Sequence, residues 1–198
     1  MSLIARLDDA RRRRNILEHR FYARWERGEL TRPELSTYAG EYRHAVAALA
    51  EAAATATPLA GAEHAQEERA HIALWDEFAA ALDADLDRRP RPETRRCAAA
   101  WTSAADPIEA VAILYAIEAG QPEVSRTKLA GLLEHYGFEE DEDATAYFRL
   151  HAERDHVHAA ESRELLERHA TPADEDRLVA AAQRALDGNW ELLDGVSA

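Results

Sequence analysis

Eight residues, the stretch HAERDHVH from His151 to His158, hold three histidines, two acids and an arginine. These are groups that bind metals and move protons. On a helix each residue advances about 100°, so with His151 at zero, Asp155 falls at about +40° and His158 at about −20°. The three share one face, and His156 lies on the other side. The pattern is therefore H-x-x-x-D-x-x-H, whose imidazole and carboxylate groups can chelate one site without loop closure. The competing reading is a polar, solvated face, since the same stretch carries Glu153, Arg154 and, further on, Glu161.

A second set lies upstream. His64, Glu68 and His71 stand at i, i+4 and i+7, again one helical face, with Glu67 at its edge. Glu68-x-x-His71 has the Glu-x-x-His spacing that di-iron carboxylate bundles use. A charged surface helix would look similar, but the following IALW makes the next turn apolar and puts His71 at the border of a core. The third element is Glu118, inside the apolar run AVAILYAIEAG. A buried carboxylate is costly unless it is paired, protonated or metal-bound. The alternative is a structural carboxyl paired with an arginine or tyrosine. Glu118, Glu68, His71, His151, Asp155 and His158 together make a nitrogen and oxygen donor set without thiolate. Such a set suits Fe or Mn and is large enough for a pair of ions.

The elements that must position these groups are helical. Ala and Leu dominate the hydrophobic residues, and Gly and Pro are sparse at 8 and 7 in 198 residues, which favours an all-α chain. The first helix is expected to end at Gly28. Thr31 and Glu34 form a capping box that starts the second. A break is expected at TPLAG (57 to 61), then a third helix with Ile72, Trp75, Phe78, Ala79 and Leu82 on its buried stripe. After the proline loop DRRPRPET comes a shorter helix with Cys97 and Trp101. Asp106 and Pro107 open the central helix, which GQP (120 to 122) should kink or break before it resumes to Gly137. The helix of the opening motif spans about residues 144 to 168, and TPAD (171 to 174) caps the last. That is about seven helices in one domain, 1–198, with no internal repeat.

Charge narrows the function. A formal net charge of −14 argues against a nucleic-acid surface, which needs clustered Lys and Arg. The only basic block, Arg11 to Arg14, reads as a solvated helix face. The single cysteine, Cys97, allows no internal disulfide and fits a reducing compartment. No apolar run approaches the ~20 residues of a membrane span, and MSLIARLDDARRRR has no apolar signal core. The expectation is a cytoplasmic protein.

The chain resembles the heme-oxygenase-like di-iron oxidases and oxygenases, the iron-containing redox enzymes related to thiaminase II and pyrroloquinoline quinone synthase. The resemblance runs through HRFYARWERGELT, YAGEYRHAV, HIALWDEF, LYAIEAGQPEVSRTKLAGL, YFRLHAERDHVHA and NWELLDGV. Its signature is an ordered set: a histidine before the apolar LW, a glutamate in the YAxE stretch before a proline, then H-x-x-x-D-x-x-H. It implies a heme-oxygenase-like bundle and His71, Glu118, His151, Asp155 and His158 as iron ligands. Some members place the remaining glutamate three residues before the histidine, giving Glu68. Others place it seven before, where this chain has His64. Glu67 and Glu41 are further candidates.

What the resemblance implies chemically is a pair of Fe(II) ions, or Mn, reducing O2 to a bridging peroxide that oxidises a small amine, amino acid or carboxylic acid in biosynthesis. The expected partners are O2, the substrate and an external electron donor, with a homodimer suggested by the fold and neither nucleic acid nor membrane. Tyr22, Tyr42, Tyr115 and Lys128 are expected to border the pocket, with Tyr22, Lys128 and Tyr115 as catalytic candidates. Lys128 follows Glu118 at the spacing of the aminobenzoate-forming branch, and Tyr22 takes its FY position. The plainer readings are core packing for Tyr22 and an ordinary surface lysine for Lys128. The rivals on the same fold are a metal-independent enzyme and a non-catalytic metal- or partner-binding module. Thiaminase II relies on a cysteine in the central helix, and this chain has none there.

Overall fold

The computed structural model describes residues 1–197, and among them nine α-helices and no strand. The helices are α1 (Leu3–Arg13), α2 (Arg20–Glu26), α3 (Arg32–Ala60), α4 (Glu63–Ala81), α5 (Pro92–Trp101), α6 (Pro107–Glu118), α7 (Gln121–His135), α8 (Asp143–His169) and α9 (Glu175–Val196). Two of the seven expected helices are each cut in two. The first is interrupted by a 3-10 turn, Ile16–Glu18. Asn15 accepts from the Leu17 amide there, and His19 Nδ1 accepts from the Phe21 amide at the start of α2. Both side chains satisfy amides that a continuous helix would have bonded to its own carbonyls. The second cut is the expected one at Gly120, with Pro122 in the first turn of α7, where an amide would lack a partner anyway.

The break expected at 57 to 61 comes late. α3 runs through Pro58 and stops only at Gly61, whose φ of 78° lies in the left-handed region. The capping box is present as read: Thr31 Oγ1 accepts from the Glu34 amide, and Glu34 Oε2 accepts from the Thr31 amide.

α6 is the axis of the molecule. Every residue from Glu109 to Glu118 is buried, and α6 packs against α3, α8 and α9. α8 lies against α4 and α7 as well, so α4, α6 and α8, which carry the candidate ligands, come together. α2 crosses α7 at Gly131, where an added Cβ would stand 2.6 Å from the Trp25 ring. That close approach lets Trp25 Nε1 donate to the Lys128 carbonyl at 3.0 Å. No helix among the described residues is long and apolar enough to cross a membrane.

Candidate metal centre

α4 delivers His64, Glu68 and His71, the last residue of α6 is Glu118, and α8 delivers His151, Asp155 and His158. None of the seven is more than 8% exposed. The ligand atoms of five of them fall into two groups, each within 4.8 Å. One holds His64, Glu68 and His158, the other Glu68, His71 and His151. Glu68 belongs to both. Its Oε1 is 3.1 Å from His71 Nδ1 and 3.9 Å from His64 Nε2. Glu118 Oε1 closes on the first group, 2.8 Å from His64 Nε2.

The rings are held in place by stacking and by a backbone hydrogen bond. His64 stacks on His158 with centroids 4.0 Å apart. His151 Nδ1 must donate to the Tyr147 carbonyl, 2.7 Å away, because a carbonyl only accepts. That fixes the tautomer and leaves the Nε2 lone pair free for a ligand, as an outer-shell carbonyl does for metal-bound histidines. Tyr147 also stacks on the His151 ring at 3.8 Å. The sequence reading did not single out Tyr147; its position four before His151, one turn back on α8, is the available signal.

The electrostatics are those of a site short of positive charge. Both oxygens of Glu68, Glu118 and Asp155, and a ring nitrogen on each of the four histidines, are buried without a hydrogen-bond partner. Burial, then the Glu68 charge, pushes the Glu118 carboxyl well above the usual range. Burial, then Glu118 and Glu68, pushes Asp155 up to about 9. Burial pulls His151 down to about 4, and burial followed by the neighbouring His64 lowers His158. Orphaned acceptors at this density are rare in folded proteins. Hard and borderline cations bound by carboxylate and imidazole would satisfy them, so the residues fit first-row metal ions.

Two of the sequence candidates stand apart. Glu41 Oε2 accepts from the Arg91 amide at 3.0 Å and from Thr94 Oγ1 at 2.5 Å. It ties down the start of α5 and is not at the centre. Tyr115 donates to Asp8 of α1 at 2.9 Å, so its hydroxyl is turned to α1 rather than to the other catalytic candidates. Glu67 sits at the rim, with Oε2 3.1 Å from His158 Nε2 and Oε1 2.6 Å from Arg154.

Lys128 is no surface lysine. It is 1% exposed, and its Nζ lies over the rings of Tyr22, Tyr38, Tyr42, Trp75 and Phe148, closest to Tyr42 at 4.7 Å. Burial lowers its pKa to about 7, with the Asp155 charge opposing. Tyr22 shares a 2.9 Å hydrogen bond with Tyr38 beside it. Cys97, on α5, is buried, and that burial pushes its thiol well up, which leaves no reactive thiolate for cysteine-based chemistry.

An all-helical bundle with a buried imidazole and carboxylate centre defines the class. The sequence profile of the iron-containing redox enzymes matches residues 39–190, and the chain belongs to that family. A 4-aminobenzoate synthase of Chlamydia trachomatis is 30% identical over 98% of this chain and 91% of its own length. Two solved structures share the fold. A TenA homolog from Pseudomonas syringae superposes with a TM-score of 0.82 at 20% identity, covering 98% of this chain and 90% of its own. A domain with a heme oxygenase-like fold from Shewanella denitrificans gives 0.74 at 19% identity, covering 98% and 88%.

Proposed function

We propose that this chain is a non-heme iron oxidoreductase that uses O2 and two ferrous ions to form a small aromatic amine, with 4-aminobenzoate as the product. The observation that carries the reading is Glu68, common to both donor groups. If two cations are held here, Glu68 would be within reach of both. His64, Glu118 and His158 complete one group, and His71 and His151 the other. Asp155 feels the charges of Glu118 and Glu68, which raise its pKa, and of Lys128, which lowers it. The name of the Chlamydia relative supports the product, and the family supports iron.

When bound, ferrous ions supply the electrons and Lewis acidity that O2 reduction needs. The chain's own residues do the rest. The rings of Tyr22, Tyr38, Tyr42, Trp75 and Phe148 exclude water from Lys128. Lys128 Nζ, near neutrality, can both take and give a proton there. The Tyr147 carbonyl keeps the His151 lone pair turned inward. The test is anaerobic Fe(II) titration followed by O2. Saturation at two ions per chain with O2 uptake is expected. Saturation at one ion or none, with no uptake, overturns the reading.

A further inference from the structure

A cavity of about 280 Å³ opens between the end of α3, the start of α4 and α8. It leads to the metal-ligand set. Of the seven buried candidate ligands, His64 and His158 line it. Nε2 of His64 and both ring nitrogens of His158 are buried without a hydrogen-bond partner. The carboxylates of Glu63, Glu67, Glu161 and Glu164 line it too, and they outnumber the guanidinium groups of Arg154 and Arg168. The opening is thus acidic, and its buried end is unpartnered imidazole.

Glu67 and Arg154 bridge α4 and α8 at this opening. Glu67 Oε2 lies 3.1 Å from His158 Nε2. Both atoms are buried and neither is hydrogen-bonded, so two lone-pair donors meet there without bonding to each other. The other oxygen, Oε1, accepts from Arg154 Nη2 at 2.6 Å. Glu161 Oε2 stands 3.9 Å from Nδ1 of the same His158 ring. We propose that this cavity is the port by which a divalent metal ion enters and leaves the His64, Glu68 and His158 group, with Glu67 its ligand in passing and Arg154 the latch on Glu67. While Arg154 holds Oε1, its positive charge offsets the carboxylate that faces His158. Arg154 is 43% exposed, and an exposed ion pair is weakly held, so the latch opens readily. Glu67 and His158 then take the ion as carboxylate and imidazole, and His64 and Glu68 receive it. The acidic opening concentrates cations at the entrance, an effect that salt screens. The inference rests on metal occupying this group, as the proposed function also requires, and not on O2 chemistry or on the product.

The test is stopped-flow mixing of the metal-free full chain with Co(II), read by Co(II) absorption, with release read by adding a chelator. Arg154→Met should raise the association and dissociation rates together, each by about fivefold or more, and leave the Kd and the number of ions bound unchanged. A latch alters the barrier and not the end states, whereas loss of a positive charge alone would speed association and slow dissociation. Glu67→Gln should slow association, and adding Arg154→Met to it should then change neither rate. Glu161→Gln with Glu164→Gln should slow association by about threefold and flatten its salt dependence. Unchanged rates in Arg154→Met, an equal acceleration when position 67 is glutamine, or no Co(II) bound by the wild-type chain overturns the proposal. Unchanged rates in a chain that takes up O2 with Fe(II) would remove the port and leave the proposed function standing. The expected rates in a chain that takes up no O2 would sustain the port while that function fell.

Discussion

Nε2 of His64 lies 2.8 Å from Oε1 of Glu118, yet neither atom has a hydrogen-bond partner. The two approach without the alignment a hydrogen bond needs. Both also neighbour Glu68, so the contact reads as two donors converging on a shared position rather than as an ion pair.

Glu118→Leu follows from that relationship. With metal absent, the carboxylate is a buried acid without a partner, and removing it should stabilise the chain by about 1–3 kcal/mol. Iron uptake should fall below two ions per chain. Melting curves and metal analysis on the same sample check both. A metal-free variant that melts lower than wild type would mean that the carboxyl has a protein partner.

Asp155 predicts a pH signature. Burial, then Glu118 and Glu68, raises it to about 9, so the folded chain keeps a proton that the unfolded chain has released. Stability held below the unfolded value, about 4, is lost as pH rises through the folded one. Metal-free Asp155→Asn escapes this loss. Its advantage over wild type should grow between about pH 4 and 9, by up to about 1.4 kcal/mol per unit. Using the difference cancels the opposing drifts of His151 and Lys128. A flat difference in urea unfolding across that range would refute it.

Lys128→Met keeps the bulk inside its ring of aromatics and removes the amine. The variant should bind the same two irons and melt at or above the wild-type temperature, since methionine needs no desolvation of a charge. Product formation should fall by at least about a hundredfold, the scale of a lost proton-transfer group. Retention of activity would reduce Lys128 to a packing residue.

Gly131→Ala tests the seat of that lysine. The new methyl would meet the Trp25 ring at 2.6 Å, and Trp25 is buried. Overpacking of this kind costs about 1–3 kcal/mol, which for a chain of this length lowers Tm by about 2–4 °C per kcal/mol. An unchanged Tm would show that α2 can lift off α7 freely.

Much of the centre was legible because its spacings are local. His151, Asp155 and His158 share a face by helical geometry, and so do His64, Glu68 and His71. Glu118 stood out as an acid in an apolar run. The capping box at Thr31 and Glu34 was equally plain. What was not legible depends on residues far apart in sequence. Glu41 serves α5 through Arg91 and Thr94, about fifty positions away. The burial of Lys128 requires rings from α2, α3, α4 and α8 at once, and no local pattern around it signals this. The cut between α1 and α2 turned on Asn15 and His19 capping their own backbone, a competition that composition does not reveal.

Lys128 is the only lysine in the sequence, and it is enclosed. The folded surface therefore displays no side-chain amine at all. Acylation, ubiquitin-type conjugation and amine-reactive dyes have no lysine to find until the aromatic enclosure opens, so the rate at which such a reagent modifies Lys128 would time the breathing of the core.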